Sequence, residues 1–198
     1  MKSVFLSSAK ITFLLSAAMS QLSCSQNAAD PYFPGLTDGI QTSESCLSFQ
    51  DYSVNLTEID GDQQFDLYQG TNCKSKTIYS LTLGIEANLA GVWQNFLVFD
   101  EGTDVNGRNL RLASIANKTE TYTLFFEGES PEFKSNKIIY FAPSEQQASA
   151  DQCSFAGIDF EDLKANSADV LIGQKFEFSA ETKKSAPVKD QYTCYPVQ

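Results

Sequence analysis

The chain of 198 residues contains no histidine, which removes the commonest general base from its chemistry. A Ser/His/Asp or Cys/His nucleophile system cannot be assembled, and a His-ligated metal is excluded as well. What remains is carboxylate chemistry, in three groups. Asp60 and Asp62 flank a turn, Asp100, Glu101 and Asp104 precede another, and Glu127, Glu129 and Glu132 share a loop. Two carboxylates held roughly 5 to 9 Å apart across a cleft would suit a polysaccharide hydrolase. All three groups lie beside turn residues, however, where solvated acids are ordinary. Asp100, Asp104 and Asn106 ahead of Gly107 also offer hard oxygen ligands to calcium, yet Gly102 and Ala113 fall at the first and last ligand positions of the EF-hand spacing. The residues thus point to a non-enzymatic protein without cofactor or metal, with a carboxylate-dependent enzyme such as a polysaccharide hydrolase, or a purely structural envelope protein, as the alternatives.

Five cysteines are the other reactive set: Cys24, Cys46, Cys73, Cys153 and Cys194. Cys24 ends a hydrophobic leader, and the other four form an even set with no C-x-x-C spacing. In an exported chain such a set reads as two disulfides, for which three connectivities are possible.

Export is indicated by the leader itself. Met1 to Ser23 carries Lys2 and Lys10, then an apolar run from Ile11 to Met19, then small and polar residues. That is the organisation of a secretory signal, and the apolar run is far short of the roughly 20 residues that span a bilayer. The end of the leader admits two readings. Leu22-Ser23-Cys24 resembles the lipobox of bacterial lipoproteins, with Gln21 where that motif carries a Leu-like residue. The resemblance implies diacylation of Cys24, and Ser25 after it resembles the pattern sorted to an outer membrane. The competing reading is cleavage after Ser20, because Ala18 and Ser20 are small, and it gives a secreted protein. Two acyl chains anchor stably where one is marginal, each buried CH2 contributing about 0.8 kcal/mol.

With the leader removed, 175 residues remain, enough for one domain with its own core. The leader holds two of the 14 basic residues and none of the 25 acidic ones, so the net charge moves from −11 to −13. That charge repels phosphate backbones, which argues against nucleic acid as a partner. The expected organisation is a signal peptide over 1–23, a tether over 24–44 rich in Pro, Gly and polar residues, and one β domain over 45–198. Asn55-Leu56-Thr57 and Asn117-Lys118-Thr119 match the glycosylation sequon, a match that chance also supplies.

From Cys46 onward the dominant period is two. A hairpin turning at Asp60-Gly61 places Leu56 opposite Phe65 and Val54 opposite Leu67 on one face. It also brings Cys46 near Cys73, which favours the pairing 46–73 with 153–194. Leu47 and Phe49 have the opposite parity to Val54, which predicts a bulge near Asp51. A second hairpin turning at Asn106-Gly107 would place Leu97 and Phe99 with Leu110 and Leu112. Tyr79 to Ile85, Tyr122 to Phe126, Lys137 to Phe141 and Asp169 to Glu181 read as further strands. Ser144 with Gln147 offers a capping box, and Phe155 to Ala165 has helical spacing, so one or two short helices are expected late in the chain.

The fold class read from this pattern is all-β: an antiparallel meander of about eight strands, a closed barrel ranked above a two-sheet sandwich because closure removes exposed edges. In length, hairpin order and cysteine placement, Cys46 to Cys194 resembles the lipocalin-like secreted barrels. Gly91-Val92-Trp93 reproduces the letters of their Gly-x-Trp motif, although at mid-chain rather than near the first strand. Trp93 is therefore read as a core aromatic. The resemblance implies a barrel whose mouth admits a small apolar ligand. The expected partners are a membrane reached through the lipid on Cys24, and a small apolar ligand or a partner protein.

Overall fold

The computed structural model describes residues 33–102 and 107–197. The leader, Cys24, the first part of the expected tether, Asp104 and Asn106 lie outside the described residues. Within them the chain forms three antiparallel sheets in succession, each a meander. The first comprises β1 (Ile40–Ser43), β2 (Cys46–Ser48), β3 (Tyr52–Ile59), β4 (Asp62–Gln69) and β5 (Thr77–Leu83). The second comprises β6 (Ala87–Trp93), β7 (Phe96–Glu101), β8 (Arg108–Ser114) and β9 (Thr121–Phe126). The third comprises β10 (Glu132–Phe133), β11 (Lys137–Gln147), β12 (Asp169–Ser179) and β13 (Lys184–Val197), with α1 (Ala150–Phe155) and α2 (Phe160–Ala165) between β11 and β12.

The all-β antiparallel class and the two late helices are as expected. A closed barrel is not found among the described residues: each sheet is an open ladder. The middle sheet lies between the other two, and its strand β7 is covered on both faces. From one face, Phe96, Val98, Leu110, Leu112, Leu124 and Phe126 pack with Phe133, Ile138, Tyr140 and Phe178 of the third sheet. From the other, Leu97, Phe99 and Ala113 pack with Val54, Phe65, Leu67, Tyr79 and Leu83 of the first. Trp93 is a core residue on the third-sheet side, stacked on Phe96.

This double burial accounts for a register that the sequence reading has wrong. Along β3 and β4 the apolar side chains lie on one face, and the observed pairs Val54–Leu67 and Leu56–Phe65 are the expected ones. The turn is closed by Asp60 and Gly61, both at positive φ (55° and 88°), as a two-residue turn of this hand requires. In β7 five successive residues, Phe96 to Asp100, are buried. An apolar run with two dry faces carries no alternation to fix its pairing. The observed register sets Leu97 against Ala113 and Val98 against Leu112, one face away from the expected grouping. The bulge expected near Asp51 is also absent: the Phe49 amide donates to the Tyr52 carbonyl (2.8 Å) in a tight turn, and Leu47 pairs with Val54.

Within the stretch read as tether, Phe33 is buried at 3% exposure, Thr37 exchanges both backbone hydrogen bonds with Val92 (2.9 and 3.0 Å), and Ile40–Ser43 forms β1. Among the described residues, side chains of Tyr79, Trp93 and Lys183 carry hydrogen bonds between the layers. The Tyr79 hydroxyl donates to the Ser114 carbonyl (2.7 Å), joining the first sheet to the second. Burial pushes that phenol up to about 12. Trp93 Nε1 donates to the Lys134 carbonyl (2.6 Å), joining the second to the third. Lys183, in the β12–β13 turn, donates to the Glu120 carboxylate, which also accepts from the Tyr122 hydroxyl (2.8 Å).

The hydrogen bond from Lys183, seconded by the one from Tyr122, holds the Glu120 carboxyl below its ordinary range. A depressed acid contributes stability that is complete above its unfolded pKa, roughly 4.3, and that is lost as the pH falls through the lower folded value. Glu120→Gln should therefore lower the melting temperature at pH 7, and the gap from wild type should close between pH 4 and more acidic conditions; a gap that stays constant over thermal melts at pH 7 and pH 3 would contradict the assignment. For the core, Phe99→Ala should cost about 3–5 kcal/mol in urea unfolding. Leu56→Ala, at a side chain 40% exposed near the hairpin tip, should cost under about 1 kcal/mol.

Candidate functional site

Of the acids singled out by the sequence, Asp62 and Glu101 come to the wall of one open groove of about 450 Å³ beside Glu86. Asp60 and Asp62 lie exposed at the β3–β4 tip. Asp100 is buried and gripped by Arg108 through Nε (3.0 Å) and a second guanidinium nitrogen. Glu101 is held by Arg111 in the same two-pronged manner (2.7 and 3.0 Å). Glu132 pairs with Lys134 (3.2 Å). Asp104 and Asn106 fall outside the described residues, so the calcium arrangement is represented only by Asp100, whose carboxylate already has a cation.

The cysteines are joined Cys46 to Cys73, with Cα atoms 6.2 Å apart, and Cys153 to Cys194, with Cα atoms 5.6 Å apart. The first bridge ties β2 to the loop after β4. The second fixes α1 to β13 in a small core of its own with Val170, against which Ile158, Phe160 and Leu163 pack. Two disulfides are compatible with an extracellular location. Among the described residues no helix is long and apolar enough to cross a membrane.

The second bridge organises a surface feature that combines exposed aromatic area with converging polar groups. The helix α1 is short and sharply bounded. At its start the capping box is Ser149 with Gln152, not Ser144 with Gln147: the Ser149 hydroxyl accepts from the Gln152 amide, and the Gln152 side chain accepts from the Ser149 amide (3.0 Å). Ser144 instead remains in β11 and donates to the Ile172 carbonyl (2.7 Å) across the sheet. At its end the Ile158 amide bonds back to the Cys153 carbonyl and the Gly157 amide to that of Ser154, with Gly157 at φ 79°. This is the glycine-terminated Schellman arrangement, which stops the helix immediately after Phe155. Phe155 is left 77% exposed.

Opposite it stands Tyr192. Phe155 lies two residues after Cys153 and Tyr192 two residues before Cys194, so the bridge brings the two rings together. Their centroids are 6.1 Å apart and their planes 30° from parallel. Beside Tyr192 the β12–β13 ladder is interrupted. Gln174 pairs with Tyr192 and Phe176 with Pro187, so Lys175 alone faces the four residues Val188 to Gln191. The Gln174 side-chain amide orders this bulge by donating to the carbonyls of Val188 (2.8 Å) and Gln191 (2.9 Å). Asp190 sits in it at φ 54°, a conformation that costs a non-glycine residue about 1–2 kcal/mol. Strain of this kind persists only where the surroundings over-determine it. The Lys175 ammonium donates to Gln191 Oε1 (2.8 Å).

Phe141, Phe155, Ala156, Lys175, Asp190, Gln191 and Tyr192 together line an open groove of about 230 Å³. Larger grooves of about 450 Å³ beside Ile85 and about 370 Å³ beside Ile78 have neither a stacked aromatic pair nor a strained residue on their walls. The platform can stack a flat or ring-shaped ligand and satisfy polar groups at its margin. Sequence reasoning finds Phe155 only as part of a helical run and does not find Tyr192, Gln174 or the bulge. The signal that would have found the pair is the mirrored spacing Cys-x-Phe and Tyr-x-Cys, legible once Cys153 and Cys194 are known to be bonded.

Comparison with known protein families, with curated proteins and with solved structures finds no match to this chain.

Proposed function

We propose that this protein is an exported, non-enzymatic binding module held at a membrane surface by a lipid on Cys24, and that its recognition site is the Phe155–Tyr192 platform. The observation that carries the reading is Phe155 itself: a large aromatic side chain 77% exposed, stacked on a second ring 6.1 Å away, beside a strained and ordered bulge. An exposed ring gains little from folding, since burial is what stabilises aromatic side chains. A lipocalin-like barrel holding an apolar ligand in its mouth would need a closing pair of strands, and the interfaces between sheets are occupied by side chains such as Phe65, Phe99, Phe126 and Phe178. The binding role therefore belongs on the surface. The non-enzymatic reading rests on the engagement of Asp100 and Glu101 with arginines and on the missing histidine. The acidic charge of −13 and the polar stretch after Cys24 suit a domain held clear of an anionic surface.

The anchor is tested by the intact mass of the protein from its source organism. The expected N-terminus is Cys24 bearing acyl chains, with a loss of four hydrogens for the two disulfides. An unacylated protein beginning at Gln21 would overturn the lipid attachment. The platform is tested by retention of labelled mature protein on isolated envelopes of that organism. Saturable retention should fall about tenfold in Phe155→Ala, the loss of roughly 1.4 kcal/mol. Equal retention of the two proteins would remove Phe155 from the site.

A further inference from the structure

We infer that the platform recognises a glycan, with a pyranose ring laid on Phe155 and its hydroxyl groups met by Asp190, Gln191 and Lys175. The inference rests on the platform reading above and narrows it to one class of ligand.

The groove offers two kinds of surface in one place. The outer face of Phe155 is flat, apolar and open, and the end of α1, the Cys153–Cys194 bridge and the ring of Tyr192 hold it in position. Around its edge stand an acceptor, an amide and a donor. The Asp190 carboxylate is 83% exposed and accepts only, the Gln191 amide both donates and accepts, and the Lys175 ammonium has three hydrogens, one of them given to Gln191. A pyranose matches that combination. One face of the sugar presents C–H bonds that lie against an aromatic ring, while the equatorial rim presents hydroxyls that both donate and accept.

The other ligand classes fit less well. A protein partner needs roughly 800 Å² of its host's surface with an apolar centre. Around Phe155 the apolar Phe141 and Ala156 stand among Lys175, Asp190 and Gln191, and several other exposed apolar side chains, Ile40, Leu56 and Ile59 among them, belong to the first sheet. A purely apolar molecule would leave unmet the Lys175 hydrogens not given to Gln191 and the Asp190 oxygen not turned to Lys189. A simple ion is disfavoured because the groove carries one charge of each sign. The bulge ordered by Gln174 is what a hydroxyl-rich ligand requires, since its polar contacts discriminate only when fixed before binding.

The test applies the mature protein, both disulfides formed, to an array of immobilised glucose-, N-acetylglucosamine-, mannose- and galactose-based oligosaccharides, and in parallel to a displayed library of random peptides. At least one glycan should bind, with affinity reduced about tenfold by Phe155→Ala and kept by Phe155→Trp, as stacking on a ring predicts. Lys175→Ala should weaken the same glycan, and circular dichroism should show both variants folded, since these side chains lie on the surface. Glycan binding that ignores Phe155→Ala would overturn the site. Peptide binding that depends on Phe155, with no glycan bound, would overturn the sugar assignment and leave the platform reading intact. A protein that binds neither probe would overturn both.

Discussion

Leu97 and Val98 are neighbours in the chain and both are fully buried, which a strand permits only when protein covers both of its faces. The rest of the fold depends on that requirement. Because β7 has no wet side, the second sheet needs a cover on each, and the chain supplies one before it and one after it. The order of the three sheets along the sequence is thus also their order in space, and each linker has only to carry the chain from one layer to the next. At roughly 10 Å between packed sheets, short connections suffice.

Three layers give two cores, and the cores differ in character. The one between the second and third sheets is aromatic: Phe33, Trp93, Phe96, Phe126, Phe133 and Phe178 meet there, mostly edge to face. The one between the first and second is more aliphatic, with Phe65 set against Phe99 at 4.7 Å. Polar crossings at Tyr79, Trp93 and Glu120 then fix how each layer sits on the next, since apolar packing alone specifies position less sharply than a directional bond. Among the described residues no buried side-chain nitrogen or oxygen is left without a partner.

What could be read beforehand follows from the same physics. The β3–β4 hairpin is legible because its outer face is wet: Asn55, Thr57, Gln64 and Asp66 alternate with Val54, Leu56, Phe65 and Leu67, and Asp60-Gly61 marks the turn. The pairing of β7 with β8 is not legible, because Phe96-Leu97-Val98-Phe99 is apolar at every position. β13 escapes notice for the opposite reason, since Lys184 to Gln191 is polar with a proline and resembles a loop. The platform is hidden more deeply. It depends on a helix end and a strand being joined by a disulfide across 41 positions, and on a mismatch in strand pairing that only the folded ladder exposes. Local patterns specify the pieces of such a site, while their meeting is a property of the whole fold.

The interruption in β13 has a second effect. β13 is the outermost strand of the third sheet and, at 14 residues, the longest among the described residues. An uninterrupted free edge of that length would offer a row of unpaired amides and carbonyls to the same strand of a neighbouring molecule, the geometry from which ribbon-like aggregates grow. Pro187 and Pro196 remove two of those amides, and the turn through Asp190 bends the row between them. The bulge that shapes the groove thereby also breaks up the free margin of the sheet, so a substitution that straightened it would alter the groove and lengthen the open edge at once.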